Sequence, residues 1–204
     1  MQGFKRYYSL VILILLLSGC AGVEKDIPTS NAKITIEPYK ISEKESLLIS
    51  KTGVENIEFF KLNGILPEED DLQFSVEVYE KGKLKEELLK SWGVNEKKYQ
   101  ESFISFGVSD SNRSLKLLSG IPSGIASTTY SSSMTSSSLS NLISENVKLT
   151  KNKPVYLAAW LGTTKNELLT VESENGEFPT GGLEEAELAF LYKVLWTDKA
   201  MNEN

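Results

Sequence analysis

Leu72, Phe74, Val76 and Val78 alternate with Gln73, Ser75, Glu77 and Tyr79. Successive side chains of a strand point to opposite faces, so a strict two-residue period suits a half-buried strand and does not suit a helix. The same period recurs along the chain. Ile34 and Ile36 alternate with Lys33, Thr35 and Glu37. Phe103 to Val108 and Leu115 to Leu118 are two further candidates, split by the turn formers Ser109-Asp110-Ser111-Asn112. Leu84, Leu88 and Trp92 fit a helical period and one strand face equally. We read 84–92 as a strand returning on 72–80 through a turn at Lys81-Gly82, with a short helical turn near Asn95 to Gln100. Val155 to Leu161 is apolar on both faces and follows Pro154, as a central strand would. Leu168 to Val171 is a shorter candidate. Leu188, Phe190, Tyr192, Val194 and Trp196 form one face of a long last strand, with Leu191 and Leu195 on the other. Asn175-Gly176 and Gly181-Gly182 punctuate the loop before it. Many short strands with turn signals predict a single antiparallel β-sandwich, immunoglobulin-like, over residues 33–198. At most one or two short helices are expected.

The first 32 residues are different. Lys5 and Arg6 precede an apolar run from Tyr7 to Leu17, broken only by Ser9. That run is about half the ~20 residues a membrane-spanning helix needs. A positive start, a short apolar core and small residues after it are the layout of a secretory signal. The small residues are Ser18 and Gly19, and the single cysteine, Cys20, follows at once. Leu17-Ser18-Gly19-Cys20 resembles the lipobox of bacterial lipoproteins. The resemblance covers only about the first 20 residues. It implies that 1–19 is a signal peptide, that the chain is cut before Cys20, and that Cys20 carries a diacylglycerol anchor. It also implies a protein held on the extracytoplasmic face of the cell membrane. Two acyl chains give stable anchoring where one is marginal. Residues 20–32 read as the lipidated cysteine and a flexible tether, with the turn formers Pro28, Thr29, Ser30 and Asn31. A chain starting at Cys20 has 20 basic and 28 acidic residues, a net charge of −8.

Residues 119–146 break the alternation. Between Ser123 and Ser144 lie ten Ser and three Thr. Few of these positions suit a core, so the segment reads as a long Ser-rich loop inserted in the sandwich. As a functional arm it would order on a partner through Tyr130, Met134, Leu139, Leu142 and Ile143. The alternative is a tolerated surface insertion, since loop length is cheap in free energy. A third reading is a short helix from Leu139 to Glu145, capped by Ser138.

Composition removes most catalytic chemistries. The chain has no His, so Ser-His-Asp and Cys-His nucleophiles, His metal ligands and imidazole switches are excluded. One Cys makes no internal disulfide and no Cys-rich zinc site. A formal net charge of −6 argues against nucleic acid as a partner. The densest acidic run, Glu68-Glu69-Asp70-Asp71, is a weak cation candidate at a sheet edge, but four consecutive acids do not match the spaced ligands of a calcium loop. A solvated turn explains it more simply. Glu172, Glu174 and Glu177 surround Asn175-Gly176, and paired carboxylates are what a glycosidase requires. Exposed acids at a hairpin tip are the simpler account. Trp160 and Trp196 read as core, and Trp92 is open because it flanks a loop. Asn112-Arg113-Ser114 matches a glycosylation sequon without consequence in a bacterial lipoprotein. The expectation is a membrane-anchored, non-catalytic binding or accessory module without a cofactor, its partner an envelope protein. The alternatives are a carboxylate-dependent envelope hydrolase and a small-ligand binding protein.

Overall fold

A computed structural model of the chain describes residues 32–54, 56–93, 96–111 and 113–198. The signal segment, Cys20, the tether through Asn31, and Asn95 and Asn112 lie outside the described residues. The described residues belong to one compact unit, Asn31–Asn204.

Eleven strands and one helix are described. They run β1 (Lys33–Tyr39), α1 (Glu43–Ile49), β2 (Asn56–Ile65), β3 (Asp70–Glu80), β4 (Lys83–Trp92), β5 (Lys98–Ser111) and β6 (Ser114–Ile121). Then follow β7 (Gly124–Ser131), β8 (Ser136–Asn141), β9 (Val147–Lys148), β10 (Pro154–Thr163) and β11 (Leu188–Asp198). All pairings are antiparallel. The first sheet has the order β7-β6-β5-β2-β1-β9 and the second β4-β3-β11-β10-β8. The chain is therefore a mainly β, two-sheet antiparallel sandwich. Within that class its strand order is not the ABED–CFG order of immunoglobulin constant domains.

The two-residue period explains the core. Ile34, Ile36, Phe60, Leu62, Ile104, Phe106 and Leu117 point inward from the first sheet. They meet Phe74, Val76, Val78, Phe190, Tyr192 and Val194 from the second. Phe106 and Tyr192 stack across the two sheets at 5.4 Å. The hairpin turn Lys81-Gly82 is as expected, with φ of 51° and 74°. Gly64 sits at a bulge of β2 with φ 132°, where a Cβ would lie 1.8 Å from the Lys33 carbonyl oxygen.

A second, smaller core lies on the outer face of the second sheet. Tyr79, Tyr156, Ala159, Leu161, Ala189 and Leu191 are covered there by Leu169, Leu183 and Ala186. The cover is the irregular segment 164–187 between β10 and β11. This is why β10 is apolar on both faces. A bulge between Tyr156 and Ala158 shifts its register, and Val155, Leu157 and Trp160 serve the inner core.

Several expectations are corrected. The Ser-rich segment is not a loop: it supplies the end of β6, all of β7 and all of β8. Ser and Thr fit a pleated edge that buries little, so low hydrophobicity did not prevent pairing. No helix forms over 139–145, because β8 runs to Asn141 against β10. The helical turn near 95–100 is displaced by β5, which starts at Lys98 and pairs with Ile65. Leu168 to Val171 forms no strand; Leu169 is buried while Leu168 is 77% exposed. The one helix described, α1, agrees with the expected number but lies at 43–49, where none was placed, although its signal is visible. Ser42 and Glu45 form a reciprocal capping box.

Candidate functional site

The described surface is indented around Ile41, in the short link between β1 and α1. Four adjoining depressions share its side chain. One of about 290 Å3 is lined by Tyr39, Ile41, Glu45, Leu48, Ile49, Phe59 and Phe103. Its only charged lining residue is Glu45. A larger one, about 750 Å3, opens at the end of the sandwich between Pro38, Ile41, Ile57, Glu58, Asn141, Ile143 and Ser144.

Strand register builds the floor. Tyr39 lies opposite Phe59, and Lys61 opposite Phe103. Along β1, and in β2 and β5 on the Tyr39 side of the bulge near Leu62, odd-numbered residues face outward, which puts the rings of Tyr39, Phe59 and Phe103 on the outer face of the first sheet. Tyr39 and Phe103 meet edge to face at 4.9 Å. The Lys61 ammonium lies 5.1 Å from the Tyr39 ring centre and 3.1 Å from Glu101 Oε1. The Glu101 hydrogen bond raises the Lys61 pKa despite partial desolvation.

The helix forms the opposite wall and is loosely held. None of its residues is buried. Leu47 and Leu48 are 60% and 62% exposed, and Phe103 is 49% exposed. The Tyr39 hydroxyl donates to Glu45 Oε1 at 2.9 Å, tying helix to sheet. Glu45 Oε2 in turn accepts from the Ser42 amide at 2.7 Å and the Ser42 hydroxyl at 2.6 Å. These Ser42 bonds hold the Glu45 carboxyl below its ordinary pKa. At the sandwich mouth, burial raises the Glu58 pKa, and the Asn141 amide donates to it at 3.5 Å. An apolar floor with a few fixed polar groups at its rim suits ligand or peptide binding.

A second cluster lies on the outer face of the second sheet. Glu77 is buried on β3. Its Oε1 accepts from Lys193, and its Oε2 accepts from Tyr79 at 2.8 Å and Tyr156 at 3.3 Å. Lys193 also pairs with Glu87 Oε1 at 2.9 Å, which accepts from Ser75 at 2.7 Å. Burial pushes Glu87 upward, but hydrogen bonds from Lys193 and Ser75 outweigh it and bring the carboxyl down to about 2. Desolvation and the Glu77 carboxylate push both tyrosine hydroxyls up. Every oxygen of Glu77 has a donor, and the cation stands between the two acids. The arrangement fixes charges and holds no free proton acceptor on Glu77 for general-base work.

The residues singled out from sequence are dispersed. Glu68 and Glu69 sit exposed in a turn, while Asp70 and Asp71 are buried at the start of β3. Asp70 Oδ1 accepts from Lys151 at 2.7 Å and its Oδ2 from the Trp196 indole at 2.7 Å. Asp71 Oδ1 accepts from the Leu72 amide at 2.8 Å. The run is therefore half turn and half buried anchor, and Asp70 is already satisfied by protein donors. Among the described residues no group of three or more His, Cys, Asp or Glu could hold a metal ion. Glu172, Glu174 and Glu177 are exposed, and Glu177 pairs with Lys153 at 2.6 Å. The five proposed anchors of the Ser-rich segment are used internally. Leu142 and Ile143 are buried, and Tyr130, Met134 and Leu139 pack against the main core. Trp160 and Trp196 are buried and Trp92 is half-buried. The cleft around Ile41 was missed because its aromatics are spread over three strands that only the register unites.

Comparison with curated proteins gave no match, and comparison with solved structures gave none. The profile of one family, the YgaN domain, matches residues 35–195, from the third residue of β1 through most of β11. The match spans well over half of the chain, and the chain belongs to the YgaN domain family.

Proposed function

We propose that this protein is a lipid-anchored, extracytoplasmic binding or accessory module that takes up an apolar group or segment in the cleft around Ile41. The binding half of the reading is carried by one observation. An apolar, aromatic-floored groove is walled by a helix that buries none of its own residues. Exposed contiguous apolar surface rimmed by polar groups is the usual form of an interaction site. The anchoring half rests on Leu17-Ser18-Gly19-Cys20 after the apolar run. Among the described residues no helix is long and apolar enough to cross a membrane. In this reading the tether lets the domain stand off the lipid surface, and its acidic body is repelled from anionic head groups.

The groove is tested with an environment-sensitive anilinonaphthalene sulfonate dye and the folded full-length protein. Dye fluorescence should rise on binding and fall by several-fold in Leu48→Ser/Phe103→Ser, whose circular dichroism should stay that of the parent. Equal dye binding by parent and variant would sink the groove assignment.

A further inference from the structure

We propose that the free edge of β7 pairs with the β7 edge of a second copy of this chain, joining two first sheets into one continuous sheet across a two-fold axis at Ser127. β7 is the outermost strand of the first sheet. Tyr130 packs on Phe190, but the rest of the strand overhangs the sandwich: even its inward-facing Ala126 and Thr128 are only half-buried, and Ile125 is 79% exposed. An edge strand presents unpaired N–H and C=O groups, and proteins blunt such edges with charges, proline or bulges. The opposite kind of edge is seen in β4. It carries Lys83, Lys85, Glu86, Glu87 and Lys90, and its pairing to β3 is broken by two register shifts. β7 has none of these devices. Its register with β6 is unbroken from Ser114↔Ser131 to Ile121↔Gly124. From Leu117 to Ser144 the sequence holds no charged residue.

The hydrogen-bond phase of β7 decides how a partner would sit. The Ser132 amide donates to the Arg113 carbonyl at 3.0 Å. Antiparallel pairs alternate between bonded and non-bonded positions. Tyr130, Thr128 and Ala126 therefore bond β6, and the backbone groups of Ile125, Ser127 and Thr129 face away from the sheet. An antiparallel copy centred on Ser127 sets Ser127 against Ser127 and Ile125 against Thr129 on both sides. Each such pair exchanges two bonds, so all six outward groups are satisfied at once. This self-complementarity is what an isologous two-fold contact requires. It is also why the occupant is a second copy. The body is acidic, yet the residues paired across the axis carry no charge, and the Lys85 and Glu80 side chains beside Tyr130 neutralise each other. β8, also uncharged, is shorter, and the Ser138 hydroxyl is already engaged by the Leu169 carbonyl at 2.6 Å.

The test uses full-length protein in detergent and in its own membranes. Sedimentation should give twice the chain mass for the parent. Ser127→Pro removes an amide that faces away from β6, so the fold is kept, and the mass should fall to that of one chain. Ser127→Asp, which retains the amide and sets two carboxylates face to face, should do the same should the proline variant not fold. In membranes, Ser127→Cys should cross-link to itself through a short bismaleimide at least tenfold more than Glu86→Cys on β4 or the parent chain. A parent of single mass with no Ser127→Cys cross-link overturns the proposal. So does a dimer that survives both Ser127→Pro and Ser127→Asp.

Discussion

Replacing Lys193 by Met should destabilise the protein far more than removal of an ordinary surface cation. The Lys193 side chain is only 14% exposed and stands between Glu77, 9% exposed, and Glu87, 27% exposed. Glu87 keeps Ser75 and Lys90, at 2.7 and 3.2 Å, and reaches water. Glu77 is all but closed to water, so most of the cost falls on its Oε1, left charged and unpaired beside Tyr79 and Tyr156. Breaking one partner of a buried ion pair costs ~3–5 kcal/mol, against ~0–1 for an exposed pair. For a domain of this size that is a fall in Tm of roughly 6–20 °C. The double variant Glu77→Gln/Lys193→Met removes both charges, and its amide oxygen still accepts from Tyr79 and Tyr156. It should recover more than half of the loss. Guanidinium unfolding followed by tryptophan fluorescence measures both, with an unchanged m-value as the check on two-state behaviour. A single-variant loss under ~1 kcal/mol, or a double variant as unstable as the single, would refute the reasoning.

The same cluster sets a pH dependence. Glu87 has a folded-state pKa of about 2 against an ordinary 4.5. A depressed carboxyl pKa contributes stability that is fully present above the ordinary value and is lost as pH falls toward the folded one. Tm should therefore drop between about pH 5 and pH 2, less steeply in Lys193→Met, as a calorimetric pH series would show. Lys193 is shifted the other way. Burial lowers its pKa, but the bonds to Glu77 and Glu87 outweigh burial and raise it above 10.5. Its contribution is complete below that pH and is lost only as pH climbs beyond it. Gly64→Ala should cost at least ~2 kcal/mol, because the new Cβ meets backbone at a positive φ. Gly162→Ala should cost ~1–3 kcal/mol by overpacking. Its Cβ would lie 2.4 Å from the Trp160 ring, so near-UV circular dichroism should change with it.

The strands with clean alternation were legible because a half-buried strand has only one way to divide its side chains. β1, β3, β6 and β11 fall where that pattern placed them. The reason for the alternation in β3 was only partly legible. Gln73, Ser75 and Glu77 face away from the main core as expected, yet they are buried. Ser75 bonds Glu87, Glu77 is enclosed by Tyr79, Tyr156 and Lys193, and Gln73 lies beside Lys90 and Trp92, and no local signal announces which neighbouring strands will bring those side chains over them. β7 and β8 escaped notice because Ser-rich composition reads as a chain without a core. An edge strand needs only a register and a few half-buried contacts. β2 escaped because Phe59-Phe60 places apolar groups on both faces, which breaks the period. That same Phe59 is the floor of the cleft. The break in pattern that hid the strand also marks the outward aromatic that makes the candidate site.

The central claim is a binding module held at the membrane by a lipid on Cys20. The intact mass of the protein purified from its own membranes tests it most directly. The account predicts a chain that begins at Cys20 and carries the added mass of a diacylglycerol, lost in Cys20→Ala. A chain that retains residues 1–19, or a bare Cys20 thiol in the mature protein, would contradict it.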